Sequence, residues 1–224
     1  MKNSRLVLFD LDNTLLSGDS DFEWGLFLAS RGVHDREAYE AQNLAFYEDY
    51  RAGRLDIMHF LQFQLSPLGR HKRSQLNAWH KEFMSEHIIP IVSVAARQKI
   101  KEEKAQAALL AIVTATNRFV TQPIADYLGF EHLVATEPEV GKDGEFTGKI
   151  TGSPCFKEGK MGCVDAWLAS LGRQWSDFDS TVFYSDSLND IPLLSRVSHP
   201  IVVDPDNTLQ AHAEAEHWPI ISLR

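Results

Sequence analysis

Cysteine is scarce in this chain: Cys155 and Cys163 are the only two in 224 residues. They show neither CxxC nor histidine spacing, which argues against a disulfide framework and a zinc site and leaves free thiols in a reducing compartment. The nine histidines are scattered without metal-ligand spacing. A basic excess is also missing. Lys and Arg number 22 against 31 Asp and Glu, a formal net charge of -9, and no basic stretch interleaves with aromatics. No nucleic-acid partner is therefore expected, whereas a small phosphorylated ligand needs only one or two local cations. No apolar run approaches the ~18 residues of a transmembrane helix, and the first run stops at Asp10, too early for a secretory leader. The expectation is a cytoplasmic protein with no membrane partner. Repeats and low-complexity segments are lacking too, and nothing in the sequence fixes an oligomeric state.

What the chain does have is rhythm. Short apolar runs recur at 5–10, 108–116, 132–137, 180–186, 200–204 and 218–223, with helical patterns at 118–129, 159–172 and 207–217. Alternating buried strands and helices predict an α/β fold, a doubly wound parallel sheet covered on both faces. From Asp19 to Ile89 the rhythm breaks into four helical patterns, beginning "DFEWGLFLASRG" and ending "SQLNAWHKEFMSEH". This predicts a helical cap domain, residues 18–90, inserted into a core formed by 1–17 and 91–224. "EVGKDGEFTGKI" carries an Asp143-Gly144 turn and reads as a β-hairpin.

Doubly wound sheets bind ligands beyond the carboxyl ends of their strands. The first strand, "RLVLFD", ends on Asp10 with Asp12 close behind; the second ends on Thr114; the fourth ends on Asp186, with Asn189 and Asp190 past the turn. Lys160 opens the helix after the hairpin. Acids, a hydroxyl and a lysine converging on one edge suit phosphoryl transfer. Asp10 and Asp186 offer hard oxygen ligands for Mg²⁺, Thr114 and Lys160 would hold phosphate oxygens, and Asn117 and Asn189 join the phosphate- or substrate-binding candidates. Asp10 is read as a nucleophile forming an aspartyl-phosphate. Asp12 is read as the acid that protonates the leaving oxygen and then the base that activates water, which calls for a raised pKa.

Each residue also has a plainer reading. Asp10 and Asp12 suit a turn or helix cap; Lys160 suits a solvated first helical turn, with Lys157 a rival for the phosphate; Asn117 suits the start of the next helix; Asp190 suits a helix N-terminus. Asp19, Asp21 and Glu23 suit a substrate ammonium, while Ser20-x-x-Glu23 equally reads as a capping box. Arg51 and Arg54 read as an exposed turn. The cap aromatics Trp24, Phe27, Phe46, Tyr47, Tyr50, Phe60 and Phe63 read mostly as core, a minority facing substrate.

"DLDNTL", "IVTATN", Lys160 in "KEGKMG" and "YSDSLNDIPLL" resemble, in order, the four motifs of the haloacid dehalogenase superfamily in its phosphatase branch. The likeness runs over essentially the whole chain. The inserted helices resemble the C1 cap of the phosphoserine-phosphatase-like subfamily IB, and "TATNRFVT", "FYSDSLND" and "PIISLR" resemble a proteobacterial branch of histidinol-phosphatases. The resemblance implies that Mg²⁺ is bound by Asp10, the backbone carbonyl of Asp12, and Asp186, with Asp190 behind the metal or the lysine. The fourth motif departs from the family: Ser185 and Ser187 stand where glycines are usual, which is expected to alter loop shape.

The leading expectation is a Mg²⁺-dependent phosphomonoesterase acting on a small phosphorylated metabolite, histidinol phosphate first and phosphoserine second. A phosphotransferase using an acceptor alcohol would share the same residues. A receiver that holds its aspartyl-phosphate as a signal fits less well, because Asp12 would speed hydrolysis and a cap would have no purpose.

Overall fold

The structure, a computed structural model, describes residues 4–224; residues 1–3 of the expected core segment lie outside it. Seven strands form one sheet in the order β4-β3-β2-β1-β5-β6-β7: β1 Arg5–Phe9, β2 Leu109–Asn117, β3 His132–Val140, β4 Phe146–Thr151, β5 Ser180–Ser185, β6 His199–Val203 and β7 Ile220–Ile221. All pairings are parallel except β3 with β4, the hairpin read from the Asp143-Gly144 turn. Gly144 there has φ +82°, a conformation that glycine adopts without steric cost.

After β1 come four helices, α1 Ser20–Ser30, α2 Arg36–Arg51, α3 Ile57–Arg70 and α4 Arg73–Phe83, the last widening into a π-helical turn at Met84–Ile88. Side chains start three of them, since Asp19, Asp35 and Asp56 accept backbone N–H bonds from Phe22, Ala38, and Met58 with His59. The capping box read at Ser20 is corrected by one residue. Asp19 is the cap, and Glu23 instead bonds the His87 ring at 2.7 Å. The rest are α5 Val94–Lys104, α6 Arg118–Tyr127, α7 Glu158–Ser170, α8 Ile191–Leu194 and α9 Asn207–Ala215. Helix α5, started by Ser93, was missed in the sequence because its mostly charged face gives little apolar periodicity.

The sheet's period of two sorts its side chains to two faces. Val7, Phe9, Ile112 and Tyr184 join one apolar cluster with Trp24, Phe27, Leu65 and Phe83 of the inserted helices and Ile100 and Val120 of α5 and α6. Leu6, Leu8, Val113 and Phe183 face the other way, against Val164, Leu168, Leu194 and Leu209 of α7, α8 and α9. Each fully buried side chain of this kind contributes roughly 1.5–3 kcal/mol. The inserted helices thus share one core with the sheet. Helix α3 also touches β4 where neither backbone carries a side chain: a Cβ at Gly69 would stand 2.9 Å from the Gly148 nitrogen.

Two strand ends differ from the sequence reading. β2 runs on to Asn117, and its register with β3 shifts between Val113 and Asn117, so Thr114, Ala115 and Thr116 are freed to face a cavity. The final strand is only Ile220–Ile221, because the Leu223 N–H turns to Asp204 Oδ2 at 3.0 Å. Cys155 and Cys163 carry no disulfide.

Candidate active site

β1 is fully buried from Leu6 to Phe9, and its ladder with β5 runs one step further, Asp10 N–H donating to the Tyr184 carbonyl at 2.9 Å. The chain then coils tightly. Leu15 and Leu16 both return N–H bonds to the Leu11 carbonyl, and Asn13 adopts φ +56°. Leu11, Leu15 and Leu16 are buried, and their burial turns the carboxylates of Asp10 and Asp12 toward the cavity at the carboxyl edge of β1, β2 and β5. This is the point where the order of a doubly wound sheet reverses. The Arg224 guanidinium donates to the carbonyls of Asn13 and Leu16 and steadies the coil from outside.

Asp10 Oδ1 accepts from Lys160 Nζ at 2.8 Å, and Lys160 donates at 2.7 Å to Asp190 Oδ2. All three are buried. Burial by itself would lower the lysine's pKa, but Asp10 and Asp190 outweigh it and hold the ammonium well above the usual lysine range. Burial pushes Asp10 from 3.8 up to about 7, against the pull of Lys160. Lys157, the rival lysine, is elsewhere: its Nζ donates to the Gly53 carbonyl at 2.6 Å.

Asp12 is held by both oxygens. Oδ1 accepts from the Ser20 N–H at 2.7 Å, and Oδ2 from Thr116 Oγ1 at 2.9 Å and Thr114 Oγ1 at 3.5 Å. Burial first, and Asp19 second, raise it to about 6. Asp186 takes a bond from Thr14 Oγ1 at 3.0 Å, and the same hydroxyl stands 3.2 Å from Asp10 Oδ2. Thr14 already accepts from the Asp186 N–H, and its single proton satisfies one carboxylate at a time. Burial, then Asp10, raises Asp186 well above the ordinary carboxylate range. Asp10, buried, and Asp186, half-buried, share one hydroxyl proton between them and fit a hard divalent cation. No cluster of three His, Cys, Asp or Glu side chains with metal-binding geometry exists among the described residues, so such an ion would complete its shell with backbone oxygen, water and phosphate.

Neither asparagine named in the sequence lines the cavity. Asn117 is corrected to a helix cap: its Oδ1 accepts from the Val120 N–H and its Nδ2 donates to Asp21 Oδ1, both at 3.2 Å. Asn189 is likewise occupied, its Nδ2 donating to the Tyr50 carbonyl at 3.3 Å. Sequence reasoning gave no role to Thr14, Thr116 or Ser185. The threonine of "DLDNTL" was the available signal for Thr14, whereas the partners of the other two depend on how distant strands meet.

The cavity has a volume of about 630 Å³. Asp10, Asp12, Thr114, Lys160 and Asp190 line one part of it; Asp19, Asp21, Glu23 and Glu40 line the remainder with Phe22, Phe46, Tyr47, Tyr50 and Phe60. Four of the seven cap aromatics named in the sequence therefore face the cavity rather than a minority, because α2 and α3 turn one aromatic edge inward. Burial raises Asp19 and Asp21, Asp21 more strongly, with Asp19 adding repulsion. Lys160 is the only cationic side chain lining the cavity among the described residues. Arg51 and Arg54 are exposed, facing Asp206 and Asp49.

A mainly parallel α/β sheet that gathers acids, hydroxyls and one buried lysine at its switch point defines a phosphoryl-handling hydrolase site. The description "haloacid dehalogenase-like hydrolase" matches residues 7–195. The chain belongs to that family and is a phosphatase. It is 41% identical to a histidinol-phosphatase of Neisseria meningitidis over 224 residues, all of both chains. A crystal structure of a protein with unknown function from Bordetella pertussis Tohama I superposes with TM-score 0.92 at 44% identity, covering 99% of this chain and 100% of that one. A phospho-aspartyl intermediate analogue of phosphoserine phosphatase shares the fold at TM-score 0.70 and 22% identity, with 100% and 95% covered. No helix of the described residues is long and apolar enough to cross a membrane.

Proposed function

We propose that the protein is a Mg²⁺-dependent phosphomonoesterase that hydrolyses histidinol phosphate through an aspartyl-phosphate on Asp10, with residues 18–90 as a cap over the site. The observation that carries this is the Asp10 carboxylate at the cavity wall, aligned by Lys160 and flanked by an acid of raised pKa. Asp10 Oδ attacks phosphorus as the ester P–O bond breaks, and protonated Asp12 gives its proton to the departing alkoxide. Ionised Asp12 then takes a proton from the water that attacks the acyl-phosphate, releasing inorganic phosphate and free Asp10. Lys160 and Thr114 hold the phosphoryl oxygens, and Asp190 keeps Lys160 charged and in place. When bound by Asp10, Asp186 and the Asp12 carbonyl, Mg²⁺ supplies positive charge against the phosphate and the clustered carboxylates.

The leaving group follows from charge. A cavity with four further carboxylates and no arginine offers nothing to a substrate carboxylate and much to an ammonium. Phosphoserine carries a carboxylate, whereas histidinol phosphate has none and adds an aromatic ring for the aromatic wall. The name of the Neisseria relative supports the same choice. Phosphate release with Mg²⁺ across histidinol phosphate, phosphoserine and sugar phosphates tests it. The expected outcome is a kcat/KM for histidinol phosphate about a hundredfold above phosphoserine. Equal values would refute the substrate, and no release from any member would refute the activity.

A further inference from the structure

The two serines of "YSDSLND" stand where the family usually has glycine, and both hydroxyls are engaged. Ser185 Oγ donates to Asp190 Oδ2 at 2.7 Å and accepts from the Ser187 N–H at 3.1 Å. Ser187 Oγ accepts from the Asn189 N–H at 3.1 Å and hydrogen-bonds the phenol of Tyr50. Tyr50 is in the last turn of α2 and lines the cavity. Its carbonyl is taken by Asn189 Nδ2, and three residues on the Gly53 carbonyl is taken by Lys157 Nζ. Three polar contacts therefore join the α2–α3 turn to the two segments that carry Asp186 and Lys160. Beyond these contacts the turn has the exposed Arg51–Asp206 pair at 3.8 Å and its own Arg54–Asp49 pair; Ala52 and Arg54 are exposed and Gly53 has φ +69°.

We propose that Tyr50 and Ser187 form a clasp that holds the α2–α3 turn down over the Asp186 loop, and that this contact sets the fraction of molecules whose cavity is closed. The phenol keeps its proton, since burial and the nearby carboxylates of Asp186 and Asp190 raise its pKa well above 10; it is the donor, and Ser187 Oγ the acceptor. A glycine at 187 would supply no acceptor, so the clasp belongs to this chain's departure from the family pattern. Both residues are positioning residues: they act on the site by closing it, and only the kinetic readout below rests on the phosphatase reading.

A double-mutant cycle tests the clasp. Phosphate release from histidinol phosphate with Mg²⁺ is measured for the wild type, Tyr50→Phe, Ser187→Ala and the double variant, alongside melting temperature and amide hydrogen exchange over residues 49–56. Bound substrate favours the closed state, so losing the clasp is expected to raise KM about tenfold, the scale of one net hydrogen bond, and to leave kcat unchanged. Tyr50→Phe is expected to add nothing in the Ser187→Ala background, and exchange at residues 51–54 is expected to quicken in both single variants. The same loss from Tyr50→Phe in both backgrounds would overturn the clasp, as would unchanged exchange. A fall in kcat alone would assign Tyr50 to the chemistry instead. Should the wild type release no phosphate, the functional reading fails, while hydrogen exchange still decides the clasp.

Discussion

A hydroxyl has one proton to give, and Thr14 faces two carboxylates, Asp10 and Asp186, at 3.2 and 3.0 Å. The other oxygen of Asp10 is held by Lys160, which also serves Asp190. This arrangement leaves Asp10 fixed in direction and short of counter-charge, as a nucleophile completed by a cation would be. Asp10→Asn keeps the shape and removes the proposed nucleophile. Turnover is expected to fall by more than about a thousandfold with an unchanged circular dichroism spectrum; full activity would refute the assignment. Lys160→Met leaves Asp10 and Asp190 buried with their shared cation gone, and a loss of about 3 kcal/mol or more is expected in denaturant unfolding.

Among the elements, the contact between α1 and α2 is the least tolerant of change. The Tyr39 ring lies against Gly25, where a Cβ would fall 1.8 Å from the ring carbon Cζ. From that seat the Tyr39 hydroxyl reaches the Asp21 carbonyl and Gln64, at 3.1 and 3.3 Å. Gly25→Ala must displace the ring and both contacts. Although alanine is the better helix former, the substitution is expected to destabilise by about 2–3 kcal/mol, read as a lower urea midpoint. An unchanged midpoint would mean that the ring has another place to go.

For the whole molecule, the acids at the switch point couple folding to pH and, in the proposed reading, to Mg²⁺. Asp10 titrates near 3.8 when unfolded and about 7 when folded, and Asp12 near 3.8 and about 6. Between those values the folded chain binds more protons than the unfolded one. Their contribution to stability is therefore full below about pH 4 and lost as pH rises through 6 to 7. In a chelator, Asp10→Asn is expected to gain melting temperature over the wild type as pH goes from 5 to 8. Added Mg²⁺ should raise the wild type more at pH 8 than at pH 5. A difference between the two proteins that stays constant with pH would sink this account.

The α/β rhythm, the inserted helices and the acids at strand ends were legible in the sequence because each is local. Strand period, cap residues and the end of an apolar run are written within a few positions, as in "RLVLFD". Helix α5 was not legible, since its charged face hides the period, and the reach of β2 to Asn117 depends on its pairing with β3. Tertiary structure alone decided which of Lys157 and Lys160 meets Asp10, because two lysines three residues apart differ only in where a helix start places them. It also turned Asn117 and Asn189 from candidate ligands into ties, and gave the serines of the fourth motif partners 2 to 137 positions away. Residue types state what chemistry a chain can do. Which groups are spent on one another, and which are left facing the cavity, is settled only when distant segments pack together.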